Sequence, residues 1–301
     1  MNSETTIEAD VPKADSRPAG CEHEHPFDYE TEPVVALHCL SHTYPDGTSG
    51  VHDVTFAVHA GETVGLIGGN GAGKSTLMEH LNGLLELQVG ELRVNGEPIT
   101  ADNVSLARRE VGFVFQDADS QIVAPTVIDD VMFGPLNYGA DLDEARERAA
   151  AALERLDAAH LVDRVPHHLS GGEKRLVAIA GVLAMDPSAI VMDEPLAGLD
   201  PARERRVRSV IESLQADDIG LVIATHDVDF AAAVSDRLVV MNDGNVVGSG
   251  APEHVFYDDA LLERANLRPP TAARMARELG YEDRRPVTEA DLLELLESQP
   301  M

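Results

Sequence analysis

A chain of 301 residues, 44% of them hydrophobic, is long enough for one large domain or two modest ones and has the apolar content to build a core. No run approaches the roughly 18–20 apolar residues that span a bilayer, and the acidic first thirty residues lack the basic start and apolar stretch of a secretory signal, so the cytoplasm is the expected compartment. A net charge of −30, spread along the whole chain, argues against a nucleic-acid partner, whose groove needs clustered positive charge.

Residues 1–32 are polar and Pro-containing without periodicity, and read as an acidic disordered extension. Within them Cys21-Glu22-His23-Glu24-His25 offers thiolate and imidazole to a soft divalent metal, beside the plainer reading of a solvated tail. Alternating or apolar runs at 34–40, 54–58, 63–67, 91–94, 111–115, 189–192, 221–224 and 237–241 predict strands. Segments beginning at Gly73, Ser170, Pro201 and Val228 have the period of helices with one buried face, and 143–159 is a long amphipathic stretch. Strands alternating with helices mean an α/β sheet. Residues 117–169 lack strand patterns and read as a helical insert, and Asp243-Gly244-Asn245 reads as a hairpin turn. Helical patterns return at 271–279 and 289–297. The expected organisation is thus the extension over 1–32, a folded unit over 33–250 with its insert at about 117–176, and a C-terminal helical extension over 251–301. Cys21 and Cys39 give neither a disulfide framework nor Cys-x-x-Cys spacing; Cys39, in a strand pattern, reads as a small core residue.

The chemistry concentrates in two places. Gly68-Gly69-Asn70-Gly71-Ala72-Gly73-Lys74-Ser75-Thr76 satisfies G-x-x-x-x-G-K-[ST], follows an apolar strand and opens a helix. Its glycines let successive N–H groups turn inward on phosphates, Lys74 supplies a point charge to the β and γ phosphates, and the Ser75 hydroxyl can ligate Mg²⁺. The strand 189–192 ends in Asp193-Glu194. A carboxylate at the tip of a buried strand can hold Mg²⁺, and the one beside it can polarise an attacking water. Asp193 is the expected metal group and Glu194 the expected general base.

With these residues in view, the chain resembles an ATP-binding-cassette ATPase over 34 to about 250, and Leu169-Ser170-Gly171-Gly172-Glu173 matches that family's signature loop. The resemblance implies a P-loop NTPase (RecA-like) α/β core with an antiparallel β subdomain, the insert forming an α-helical signature subdomain. It implies ATP and Mg²⁺ as ligands, and two cassettes facing head to tail. Ser170 and the amides of Gly171 and Gly172 would then meet a γ phosphate bound by the other subunit, a second ATPase that is identical or a sister. Tyr44, before Pro45-Asp46, resembles the aromatic that stacks on adenine. Gln116 resembles the glutamine that senses Mg²⁺ and the attacking water, Asp200 the aspartate of the loop crossing the interface, and His226 the switch histidine at the γ phosphate. The sequence departs from the pattern once. The arginine that many transport ATPases carry three residues past the signature falls one place early, in Lys174-Arg175-Leu176, which leaves Arg175 without a role by resemblance.

The runs Val114-Phe115-Gln116-Asp117-Ala118-Asp119-Ser120-Gln121, Ala124-Pro125-Thr126-Val127 and Phe133-Gly134-Pro135-Leu136-Asn137, with HHLSGGEKRLVAIAG from His167, resemble the ATPases of energy-coupling-factor and cobalt-type importers. That implies a membrane coupling subunit gripped through 117–135, a small substrate-binding membrane subunit, and a peripheral place on the cytoplasmic face of the membrane. The implied cargo is a micronutrient, cobalt ion first, with biotin or nickel next. The alternative is a soluble cassette ATPase of iron–sulfur assembly or nucleic-acid maintenance; the long coiled coil of repair types and the second cassette of translation types are both missing from the sequence. Only Lys13, Lys74 and Lys174 among 23 basic residues are lysine, and such generalised acidity resembles a halophilic archaeal protein whose surface is screened by counterions.

Overall fold

The computed structural model describes residues 32–298, so the acidic extension and its Cys21/His23/His25 cluster lie outside the described residues. In chain order the elements are β1 (Val35–Thr43), β2 (Ser49–Val58), β3 (Thr63–Gly68), α1 (Lys74–Leu81), β4 (Val89–Val94), β5 (Glu97–Pro98), α2 (Val104–Glu110) and β6 (Val111–Val114). There follow α3 (Val127–Asn137), α4 (Leu142–Arg155), α5 (Gly171–Leu183), β7 (Ala189–Asp193), α6 (Pro201–Gln215), β8 (Gly220–Ala224), α7 (Val228–Val234), β9 (Arg237–Asn242) and β10 (Asn245–Gly250). The chain closes with α8 (Pro252–Val255), α9 (Asp259–Arg264), α10 (Thr271–Leu279) and α11 (Glu289–Glu297).

Two sheets form. A six-stranded sheet runs β10-β9-β3-β8-β7-β6, parallel except for the β9–β10 hairpin, and a four-stranded antiparallel sheet runs β2-β1-β4-β5. The parallel strands β3, β7 and β8 are buried on both faces, which is why they read as continuous apolar runs. Their alternate residues feed two cores. Ile190, Met192, Leu221 and Ile223 pack with Val131, Leu153, Val177 and Ile211 of the helices on one face. Val191, Val222, Val64 and Leu66 pack on the other with Leu77, Met78 and Leu81 of α1 and with Leu37, Phe56 and Leu92 of the antiparallel sheet. Helix α1 is therefore held between the two sheets. From 117 to 188 there is no strand, and α3, α4 and α5 pack on one another there.

The structure departs from the sequence pattern at a few points, each with a local cause. Strand β1 continues to Thr43 because a bulge absorbs one residue between Leu37 and Leu40, with Cys39 at φ 51°. Cys39 is buried as expected, but it is disulfide-bonded rather than a free thiol. Helix α2 is not announced by the sequence because it is only seven residues long and fully buries only Ala107. Helices α8 and α9 are too short for a helical period to register. They carry Val255, Phe256, Leu261 and Leu262 into a third core with Ile67, Leu238 and Val240 of the parallel sheet.

Phe256 is fully buried in that third core. Phe256→Ala is expected to lower the free energy of urea unfolding by about 3–5 kcal/mol. A loss under ~1 kcal/mol would mean that the segment after β10 is not part of the cooperative unit.

Candidate functional site

The parallel strands β3, β6, β7 and β8 all end on the same side of the sheet, and each is followed at once by residues singled out from the sequence. At the end of β3 the chain turns through glycines whose replacement the backbone forbids. A Cβ on Gly68 would collide with the Met241 carbonyl, and Gly73 has φ 97° with the Gly50 carbonyl 2.6 Å from where its Cβ would stand. Gly73 then hands over to α1 without a side-chain cap, leaving first-turn N–H groups free to meet an anion. The Lys74 ammonium donates to the carbonyls of Gly68 at 2.8 Å and Gly69 at 3.0 Å.

At the end of β7, Glu194 adopts a left-handed backbone with φ 46°, its N–H donating to the Ala224 carbonyl at 2.9 Å. This conformation costs a non-glycine residue roughly 1 kcal/mol, and it turns the carboxylate back toward the end of β8. There Glu194 Oε1 accepts from the His226 backbone N–H at 2.9 Å and lies 2.7 Å from His226 Nδ1, while Oε2 accepts from the Thr225 hydroxyl at 3.1 Å. The Glu194 side chain is only 13% exposed and that of His226 is 74% exposed. Burial pushes the Asp193 carboxyl above its ordinary pKa and the charge of Glu194 adds to the rise, with Lys74 and Arg175 opposing it. Burial likewise lowers the pKa of Lys74 against the pull of Glu194 and Asp193. One ammonium and two carboxylates thus share a single partly desolvated space.

That space is a cleft of about 500 Å³ lined by Tyr44, Asn70, Gly71, Ala72, Gly73, Lys74, Ser75, Thr76, Gln116, Asp193, Glu194 and His226. Thr48, Ser49 and Gly50, which no sequence motif marks, complete the wall. Tyr44 is anchored there by a 2.9 Å hydrogen bond between its hydroxyl and Thr76 Oγ1, and its ring meets His42 edge-on at 4.8 Å. His42 in turn packs on His80, whose Nδ1 donates to the Thr76 carbonyl at 2.6 Å.

Six expected residues do not line this cleft: Gly68 and Gly69, which form the turn leading into it, and Ser170, Gly171, Gly172 and Asp200, which stand elsewhere. Ser170 caps α5 in a reciprocal box with Glu173, and the Ser170 hydroxyl and amide hydrogen bonds hold the Glu173 carboxyl below its ordinary pKa. Gly172 lies against the Arg203 side chain, which would have to shift to admit a Cβ. Asp200 caps α6 by accepting from the N–H groups of Ala202 and Arg203, both at 3.0 Å. The Arg203 guanidinium joins the two loops, reaching Ser170 Oγ at 3.0 Å and pairing with Asp200. Ser170, Gly171, Gly172 and Asp200 therefore form a second constellation, separate from the cleft.

Between the two lies the segment that leaves β6. Its Phe115 and Gln116 carbonyls both accept from the buried Arg175 guanidinium, and Lys174 pairs with Asp119. Gln121 prolongs the strand edge, donating to the Phe113 carbonyl at 2.9 Å and accepting from the Phe115 N–H at 3.1 Å. Arg175 and Gln121 stand inside the runs that carry the family resemblance, but nothing in the sequence gives either a role. Successive side chains of the segment face opposite ways. Gln116 lines the cleft, whereas Phe113, Phe115 and Gln121 line a groove of about 410 Å³ with Phe133, Gly134, Tyr138 and Met185. Phe133 is 55% exposed at this groove, and Leu136 and Tyr138 are exposed nearby. Among the described residues no helix is long and apolar enough to cross a membrane.

A family profile described as ABC transporter matches residues 51–197. The chain is 44% identical over 256 residues to the energy-coupling factor transporter ATP-binding protein EcfA of Methanocaldococcus jannaschii, covering 84% of this chain and 92% of that protein. It is 43% identical to the protein of the same name from Methanothermobacter thermautotrophicus, over 82% of this chain and 80% of that protein. Among solved structures it is similar to CbiO1 from Clostridium perfringens, described as part of the ABC transporter complex CbiONQ, with TM-score 0.70 and 35% identity over 83% of this chain and 100% of that one. It is also similar to an ATP-binding cassette solved as a dimer in a post-hydrolysis state with ADP and phosphate, with TM-score 0.66 and 27% identity over 72% of this chain and 98% of that one.

The packing around Gly73 makes it intolerant of a side chain. Gly73→Ala must move either its own backbone or the Gly50 carbonyl, and strain on the order of 1–3 kcal/mol is expected. Thermal unfolding should show a midpoint lowered by several degrees, and an unchanged midpoint would mean that the loop is freer than its contacts with Gly50 imply.

Proposed function

The chain belongs to the ABC transporter ATP-binding proteins and hydrolyses ATP, and from that premise we propose that it is the ATPase subunit of an energy-coupling-factor-type importer for a micronutrient, with cobalt ion as cargo. The observation that carries the reading is the division of its motifs into a phosphate cleft with its own carboxylates and a separate signature constellation. A set divided in this way is complete only when a second cassette brings its signature loop to the first one's cleft. The partner is thus a second ATPase subunit, identical or a sister.

In this reading the Tyr44 ring stacks on adenine, and Asn70 to Thr76 with the Gly68 and Gly69 turn cradle the phosphates. Lys74 exchanges its loop carbonyls for the β and γ phosphate oxygens. Ser75, Gln116 and Asp193 supply a hydroxyl, an amide oxygen and a carboxylate to one cleft, a set of hard oxygen donors that suits Mg²⁺. Those three would hold the ion, which neutralises phosphate charge when bound. Glu194 accepts the proton of the attacking water, kept in place by the N–H of His226 and the hydroxyl of Thr225, and His226 contacts the γ phosphate. Ser170, the Gly171 and Gly172 amides and Asp200 meet the nucleotide of the opposite subunit.

The groove beside Gln116 is the surface for a membrane coupling subunit, which together with a small substrate-binding membrane subunit would place this chain at the cytoplasmic face of the membrane. The relatives named for energy-coupling-factor transport and the likeness to CbiO1 support that assignment. Cobalt rests on the resemblance of the 114–137 and 167–181 runs. Biotin and nickel are the competing cargoes, since no residue of the cassette touches the cargo.

Glu194→Gln should lower steady-state ATP turnover by roughly 10²–10⁴-fold while nucleotide binding persists, and should accumulate an ATP-dependent dimer in size-exclusion chromatography. Wild-type turnover would remove Glu194 from the role of base. Affinity capture of the chain from native membranes in molar potassium chloride, read by mass spectrometry, should return a coupling subunit and a small binding subunit whose identity names the cargo. Phe133→Asp should lose both at unchanged basal ATPase rate. Recovery of soluble proteins alone would favour the soluble cassette ATPase instead.

A further inference from the structure

We propose that Arg175 is a positioning residue for ATP hydrolysis: its guanidinium, carried by the signature helix α5, holds the carbonyls of Phe115 and Gln116 and so sets where the Gln116 side chain stands in the cleft. The inference rests on the reading of Gln116 as the group that meets Mg²⁺ and the attacking water.

Arg175 is 3% exposed, and a buried guanidinium must find hydrogen-bond partners. Among the described residues it forms no contact ion pair, and Asp117 and Asp193 act on it only through their fields. Its direct partners are instead the two successive carbonyls of the Gln116 segment. A planar fork spanning two carbonyls fixes position and orientation together, which a single ammonium cannot do. The next residue back, Lys174, pairs with Asp119, so the segment is tied to the first turns of α5 at two points. Gln121 ties its other side to the edge of β6. The same helix begins at Ser170, which Arg203 links to Asp200. A displacement of the α5 start, as when Ser170 engages a phosphate, therefore carries the backbone of Gln116 with it. None of the Arg175 contacts involves Lys74 or the glycine loop, so the effect falls on the chemical step rather than on nucleotide affinity.

The test is a double-mutant cycle on the full chain, measuring kcat and KM for ATP with wild type, Arg175→Met, Arg175→Lys, Gln116→Ala and the combined Arg175→Met and Gln116→Ala variant. Arg175→Met should lower kcat by roughly ten- to a hundredfold with KM changed by less than about threefold, and Arg175→Lys should recover part of the loss. In the Gln116→Ala background the Arg175 change should add less than about twofold, because its route through Gln116 is already gone. An unchanged kcat in Arg175→Met, a rise in KM in its place, or multiplicative losses in the combined variant would overturn the proposal. Should Arg175→Met fail to unfold cooperatively, the same comparison is made with Arg175→Lys alone and combined with Gln116→Ala. If Gln116→Ala itself turns over like wild type, the reading of Gln116 fails, and the proposal falls with it for that separate reason.

Discussion

A parallel sheet buried on both faces has no side surface to offer, so its polar chemistry can stand only where the strands end. The constraint is visible here in β3, β7 and β8, which carry only apolar residues or glycine between their first and last positions. Each gives out into a polar group at its carboxyl end: the glycine loop and Lys74 after β3, Asp193 and Glu194 at the tip of β7, Thr225 and His226 after β8, and Gln116 after β6. The parallel register brings these ends side by side, with Asp193 opposite Ala224 and Leu66 opposite Ala224 from the other flank. The cleft follows from that alignment, because ligands of open α/β sheets sit beyond the carboxyl ends of the strands.

The cleft then uses burial to strengthen its few charges. Lys74, Asp193 and Glu194 interact in a partly desolvated space where solvent screens them less than it screens the acidic exterior. A cation kept there is the counterpart of two carboxylates before it is the counterpart of any phosphate. The signature constellation has a different character. Arg203 and Asp200 are largely exposed, and their worth lies in holding two loops in a fixed relation rather than in stability.

Much of this was legible in the sequence because the deciding features are short-range. The eight strand segments carry unbroken apolar runs or strict alternation, and α10 and α11 were read with the bounds they have. The phosphate loop, Asp193-Glu194 and His226 each follow a readable strand, and the structure brings them into one cleft. What stayed hidden depends on contacts far apart in the chain. Arg175 reaches across sixty residues to Phe115, Thr48 to Gly50 join the cleft only because α1 is clamped between the sheets, and α9 exists by packing on β10. The bulge at Cys39 is likewise a product of tertiary placement that no local pattern announces.

The scarcity of lysine gives this fold an unusual chemical address. Among the described residues there are only two amino-group side chains, Lys74 and Lys174. Lys174 is mostly buried and bound to Asp119, whereas Lys74 lines an open cleft. To an amine-selective electrophile, a folded unit of over two hundred residues therefore presents essentially one nucleophile, and it stands at the phosphate loop.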